Sequence, residues 1–236
     1  AGGVGVAGGV LVPRGSGAGD TGHGRRLATS SLVYAGLVAG ILATVMLVYV
    51  EQFLTLLGAT GSAHELATGY LWIVLPATPL MGIGMCAGGI LRARGDPRRA
   101  MYVTLSGAIV NAALDPVFIF ALGLGVDGAA IASVLARVSF VVVGLNGLIR
   151  VHDLLKRPGL KDFAKDFRPI SAIAAPAMLT NVATPIGNAY MTWAIPAYGV
   201  AAGAGRATVV RVLPVAFGGI FAVAGPIAPV IGQTRW

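Results

Sequence analysis

Six apolar segments, each of about 20 residues or more, constrain the fold of this chain more than any other feature. Because a bilayer-spanning helix takes about 20 consecutive apolar residues, each segment is long enough to cross a membrane. A shorter apolar run over residues 1–12 reads as part of a further helix. The segments are residues 27–57, 63–91, 101–124, 129–149, 169–197 and 206–231.

The composition indicates the same class. Hydrophobic residues make up 56% of the 236 residues and charged residues only 11%, against about 25% charged in a soluble domain. The 35 glycines and 13 prolines suit membrane helices, which tolerate both better than soluble helices do. A single cysteine, Cys86, excludes a disulfide framework within one chain. We therefore predict an all-α, polytopic membrane protein.

The basic residues are distributed unevenly between the two sides of the predicted membrane. Fourteen of the 17 Lys and Arg residues lie on one side, most of them in loops 13–26, 92–99 and 150–168. Basic loops generally face the cytoplasm, so these three loops are predicted to be cytoplasmic. The net charge of +8 thus reports topology and does not indicate nucleic-acid binding.

Asp115 is the only acidic residue deep inside any of the segments. An ionised carboxylate near the bilayer centre costs about 2.5–3.5 kcal/mol on insertion scales, and such residues commonly mark functional sites. Asn111 lies four residues earlier, on the same helix face. Pro116 lacks an amide hydrogen, so we expect a kink and a freed carbonyl near Ala112. These oxygen atoms could hold a proton or a small hard cation such as Na⁺.

Four stretches resemble the multidrug and toxic compound extrusion (MATE) transporters. They are RGSGAGD at 14–20, LRARGDP at 91–97, NAALDPVFIF at 111–120 running on to GVDGAAIA at 125–132, and PIAPVIGQ at 226–233. Such transporters have twelve helices in two six-helix lobes. The resemblance implies a fragment from the second to the eighth helix. Residues 1–149 would form most of the first lobe, 150–168 an amphipathic linker on the membrane surface, and 169–236 two helices of the second lobe.

The resemblance also implies a function. The family exports cationic and amphipathic compounds in exchange for H⁺ or Na⁺, needs no other cofactor, and is not enzymatic. In prokaryotic members an Asn and an Asp of the fifth helix and a hydroxyl residue of the sixth belong to a cation site. These match Asn111, Asp115 and Ser133. The expected location is the inner cell membrane, and the expected partners are amphipathic or cationic small molecules and the bilayer.

Other interpretations stay open at this point. A lipid-linked sugar flippase of related architecture is one, and an ion channel or passive membrane scaffold is another. Asp115 also has a structural interpretation, in which it pairs with Arg137 or with a hydroxyl group on a helix. Residues 11–16 read LVPRGS, which matches a thrombin cleavage site of expression tags as well as a native loop.

Overall fold

The computed structural model describes residues 21–56, 61–156, 159–194 and 212. The predicted span 206–231, apart from residue 212, and the motif at 11–16 lie outside the described residues. The described chain is helical and contains no strand. Its α-helices are α1 (Thr21–Val48), α2 (Val50–Leu56), α3 (Ser62–Val74), α4 (Thr78–Ala93), α5 (Pro97–Pro116), α6 (Gly125–Asn146) and α7 (Leu160–Ala194).

Four helical stretches are long and apolar enough to cross a membrane. They are Gly22–Val48, His64–Ala93, Pro97–Ala121 and Gly125–Val151. These correspond to the first four predicted spans, so the predicted polytopic helical fold is confirmed. The fifth predicted span falls largely within α7, which is not one of these four stretches.

Short irregular turns interrupt or extend the spans where the sequence contains helix-breaking residues. Leu75–Ala77 forms a 3₁₀ turn between α3 and α4, at Pro76 and just before Pro79. Because proline lacks an amide hydrogen and clashes with the preceding turn, a regular helix cannot continue through this point. Two π-turns, Val117–Ala121 and Gly147–Val151, extend α5 and α6.

Small residues let the helices approach closely. A Cβ built on Gly82 of α4 would lie 3.0 Å from the Ala35 carbonyl oxygen of α1. A Cβ on Gly144 of α6 would lie 2.8 Å from the Ala87 Cβ of α4. Membrane helices depend on such contacts because lipid tails remove the hydrophobic driving force for helix association. Helix α4 therefore packs against both α1 and α6 at the centre of the bundle.

The described residues fall into two compact units, with the division between Ala174 and Ala175. Helix α7 begins at Leu160, inside the predicted linker, and continues without a break to Ala194. Within the first unit, Ile170 and Ala174 are fully buried. The domain boundaries predicted at 149 and 168 remain predictions.

Candidate functional site

The helix α5 brings Asn111 and Asp115 together, as their four-residue spacing predicts. Asn111 Nδ2 donates a hydrogen bond of 2.7 Å to Asp115 Oδ2. The other carboxylate oxygen, Oδ1, is buried and has no hydrogen-bond partner within the described part of the chain. A buried carboxylate oxygen without a donor is costly. This oxygen is therefore free to take a proton or to coordinate a cation.

Two local backbone hydrogen bonds stabilise the π-turn after Asp115. Leu122 N–H donates to the Val117 carbonyl at 2.9 Å, and Leu124 N–H donates to the Phe118 carbonyl at 3.1 Å. Gly128 of α6 lies so close to Phe118 that a Cβ there would be 2.7 Å from the Phe118 carbonyl carbon and oxygen. Single π-turns in helices occur frequently at functional sites. The helix ends at Pro116, and the size of the kink expected there remains a prediction.

Ser133 shares the membrane depth of the Asn111–Asp115 pair but bonds elsewhere. Gly107 of α5 lies beside Phe140 of α6, just as Gly128 lies beside Phe118. These two contacts define an antiparallel register, which puts Ser133 level with the midpoint between Asn111 and Asp115. Its hydroxyl is 3.4 Å from the Tyr70 hydroxyl of α3. Its membership in a cation site therefore remains a prediction.

Arg137 does not pair with Asp115. Its Nη1 donates to the Val74 carbonyl oxygen at 2.5 Å and to Thr78 Oγ1 at 3.3 Å. The backbone N–H of Thr78 bonds to the Leu75 carbonyl three residues back, which leaves the Val74 carbonyl available. Pro76 and Pro79 account for the break in the helix, but they do not indicate which side chain binds the Val74 carbonyl.

A second polar region lies at the end of the bundle that carries residues 21–26, 94–99 and 150–156, here called the basic end. Asp166 of α7 is buried and accepts two hydrogen bonds from Arg26, of 3.1 and 2.9 Å, and one of 2.8 Å from the Ser30 hydroxyl. Arg25 pairs with Asp153. The contacts of Asp166 join the first part of α7 to the start of α1, and no local sequence pattern predicted them.

Asp96 organises the loop between α4 and α5. Its Oδ1 accepts from the Arg99 backbone N–H at 3.1 Å and so caps α5, while its Oδ2 contacts the Arg99 guanidinium and lies 3.0 Å from His152 Nε2. The hydrogen bond from the Arg99 side chain, aided by the other donors, lowers the pKa of Asp96 to about 2. Asp96 is therefore ionised throughout the physiological pH range.

No group of three or more His, Cys, Asp or Glu side chains that could hold a metal ion occurs among the residues the structure describes. A Na⁺ site at Asp115 would therefore depend on amide, carbonyl and hydroxyl oxygens in addition to this one carboxylate. Such oxygen ligands suit a hard cation.

The helical bundle and its polar groups at membrane depth define a polytopic helical membrane protein. Residues 1–117 match the MatE family model. The chain is 29% identical over 196 residues to an FAD transporter of Shewanella oneidensis, which covers 79% of this chain and 43% of the relative. It is 27% identical over 185 residues to the multidrug export protein MepA of Staphylococcus aureus, covering 75% of this chain and 40% of the relative.

The fold agrees with these matches. A solved structure of the Vibrio cholerae MATE transporter VcmN, in a variant form, superimposes with a TM-score of 0.88 and 25% identity, covering 98% of this chain and 53% of VcmN. The chain belongs to the MATE family of transporters, as its sequence motifs predicted. It spans about half the length of the relatives that it matches.

Proposed function

We propose that this chain takes part in the cation-coupled efflux of amphipathic or cationic small molecules, with H⁺ or Na⁺ as the coupling ion at Asp115. The observation that carries the proposal is the buried Asp115 Oδ1, which has no donor within the described residues while Oδ2 is held by Asn111. Protonation or ion binding at this oxygen removes the charge penalty of a carboxylate inside the membrane.

The coupling step follows from the position of this carboxylate on α5. Neutralising Asp115 changes the charge one residue before Pro116 and two residues before the π-turn at Val117–Ala121. A turn that is already irregular has fewer regular hydrogen bonds to break when it repacks. We propose that loading of Asp115 shifts the packing of this turn against α6 and so links ion entry to substrate release.

The relatives support transport and leave the substrate open to test. MepA is described as a multidrug export protein, which supports the efflux of varied small molecules, whereas another relative is described as an FAD transporter. We place the chain in the inner cell membrane with its basic end in the cytoplasm. We include Ser133 as a third member of the cation site, which would require its hydroxyl to leave Tyr70.

The proposal is tested by the efflux of ethidium from cells that lack their own efflux pumps and express the complete gene that encodes this sequence. Asp115→Asn keeps the shape and the Asn111 contact but cannot ionise, so it is expected to abolish ion-coupled efflux at matched expression. Asn111→Ala removes one neutral ligand and is expected to weaken coupling less. Asp127→Asn, at an exposed carboxylate near the start of α6, is the control and is expected to behave as wild type.

Four results would count against the proposal. Wild-type efflux by Asp115→Asn would show that the carboxylate does not carry the coupling ion. An Asp115→Asn variant that fails to fold would favour a structural role, in which Asp115 holds two helices together. Ion flux without any dye gradient would favour the channel interpretation, and transport confined to lipid-linked sugars would favour the flippase.

A further inference from the structure

Arg137 places a positive charge near the middle of the membrane. It lies 12 residues into the 27-residue span Gly125–Val151, which at 1.5 Å per residue is roughly 20 Å from either end. Its polar contacts Val74 and Thr78 lie at the middle of the span His64–Ala93. A guanidinium at this depth is expensive and usually marks a functional group.

The guanidinium has hydrogen-bond donors that remain unused. Both of its protein contacts come from Nη1, whereas a guanidinium carries five N–H donors. Within the described residues, the three N–H groups on Nε and Nη2 have no protein acceptor. Neither Nε nor Nη2 is among the buried atoms that lack a hydrogen-bond partner. Both nitrogens are therefore accessible to a ligand or to water.

The surrounding side chains add donors rather than acceptors. Thr78 Oγ1 accepts from Arg137, which leaves its own hydroxyl hydrogen to donate. Tyr70 and Ser133 share one hydrogen bond, so one hydroxyl hydrogen of that pair is also free. No Asp or Glu within the described part of the chain forms an ion pair with Arg137. The cluster therefore lacks an acceptor with negative charge.

We propose that Arg137, with Thr78 and Tyr70, binds the carboxylate or phosphate group of an amphipathic substrate at mid-membrane depth. A planar guanidinium is suited to such an oxyanion because two of its N–H groups can bind two oxygens at once. This inference rests on the proposed function in that it requires an amphipathic ligand. It adds a preferred charge to one part of that ligand.

The test measures binding to the purified 236-residue chain in nanodiscs, using three fluorescent probes that share a dansyl group. Dansyl-6-aminohexanoate carries a carboxylate, dansylcadaverine an ammonium group, and dansyl propylamide neither. Wild type is expected to bind the carboxylate probe most tightly. Arg137→Gln is expected to weaken that binding about 10- to 100-fold, the range for a hydrogen bond to a charged group, and to change neutral-probe affinity less than about twofold.

Two further variants separate charge, geometry and folding. Arg137→Lys keeps the charge and a donor for the Val74 carbonyl but loses the planar fork, so an intermediate loss of carboxylate binding is expected. Arg150→Gln removes an exposed arginine at the basic end of the same span and is expected to change nothing. The helical signal in circular dichroism checks that each variant folds. If Arg137→Gln does not fold, Arg137→Lys alone tests the proposal.

The outcomes separate this site from the proposed function. If wild type binds the carboxylate and neutral probes equally, or if Arg137→Gln and Arg137→Lys weaken both to the same degree, the anion site is contradicted while amphipath binding stands. If wild type binds none of the three probes, both proposals fail. When the carboxylate probe does bind, its displacement by inorganic phosphate or by a phosphate-bearing lipid distinguishes a soluble oxyanion from a lipid headgroup as the competing ligand.

Discussion

The close approach of α6 to the π-turn after Asp115 can be tested by adding a single methyl group. In Gly128→Ala the new Cβ would lie 2.7 Å from the backbone carbon and oxygen of Phe118, whereas ordinary contacts begin at 3.4 Å. The backbone must therefore move by about 0.7 Å. Overpacking of this kind costs about 1–3 kcal/mol, and the higher helix propensity of alanine returns up to about 1 kcal/mol.

The matched control is Gly88→Ala in α4. Gly88 is also buried and helical, but a Cβ there would meet its nearest neighbours, the Ala100 carbonyl oxygen and Arg92 Nη1, only at 3.9 and 4.0 Å. This substitution gains helix propensity without a clash. It is expected to leave stability unchanged or to raise it by up to about 1 kcal/mol.

Thermal unfolding of the purified chain in detergent measures both variants. A net loss of about 1–2 kcal/mol at Gly128 corresponds to a fall in Tm of roughly 2–8 °C for a chain of this size. The displaced turn should also weaken Na⁺ or proton binding at Asp115, measured on the same samples. A Gly128→Ala variant at least as stable as Gly88→Ala would refute the proposed close packing of α6 on the turn.

Two other predictions concern the loops. The pKa of Asp96 is lowered from 3.8 to about 2, so its ionised carboxylate stabilises the fold above pH 4 and loses this effect as the pH falls through 2. Asp96→Asn should therefore lower the free energy of unfolding by about 2 kcal/mol at pH 7 and by much less at pH 2. Unfolding in detergent at the two pH values measures this difference. A variant equally destabilised at both pH values would contradict this. For topology, cysteine at Ser62 should react with an impermeant thiol reagent outside intact cells and cysteine at Arg98 should not, while the native Cys86 is buried and silent. The reverse labelling would overturn the orientation.

Local features of the site were predictable because helical spacing alone determines them. Asn111 and Asp115 are four residues apart on one helix, so their contact needs no partner element. The same holds for the break at Pro76, which follows from the missing amide hydrogen. Apolar length predicted the four described membrane spans in the same way, with boundaries that differ from the observed ones by one to nine residues.

The partners of Ser133, Arg137 and Asp166 were decided only by tertiary structure. Each contact joins residues that are 59 to 140 positions apart in the chain, so it depends on how the helices pack against one another. Ser133 is level with the midpoint between Asn111 and Asp115 because the contacts at Gly107 and Gly128 fix the register of α5 against α6. Sequence periodicity identifies the polar residues inside a membrane helix, but only the register between helices determines which of them meet.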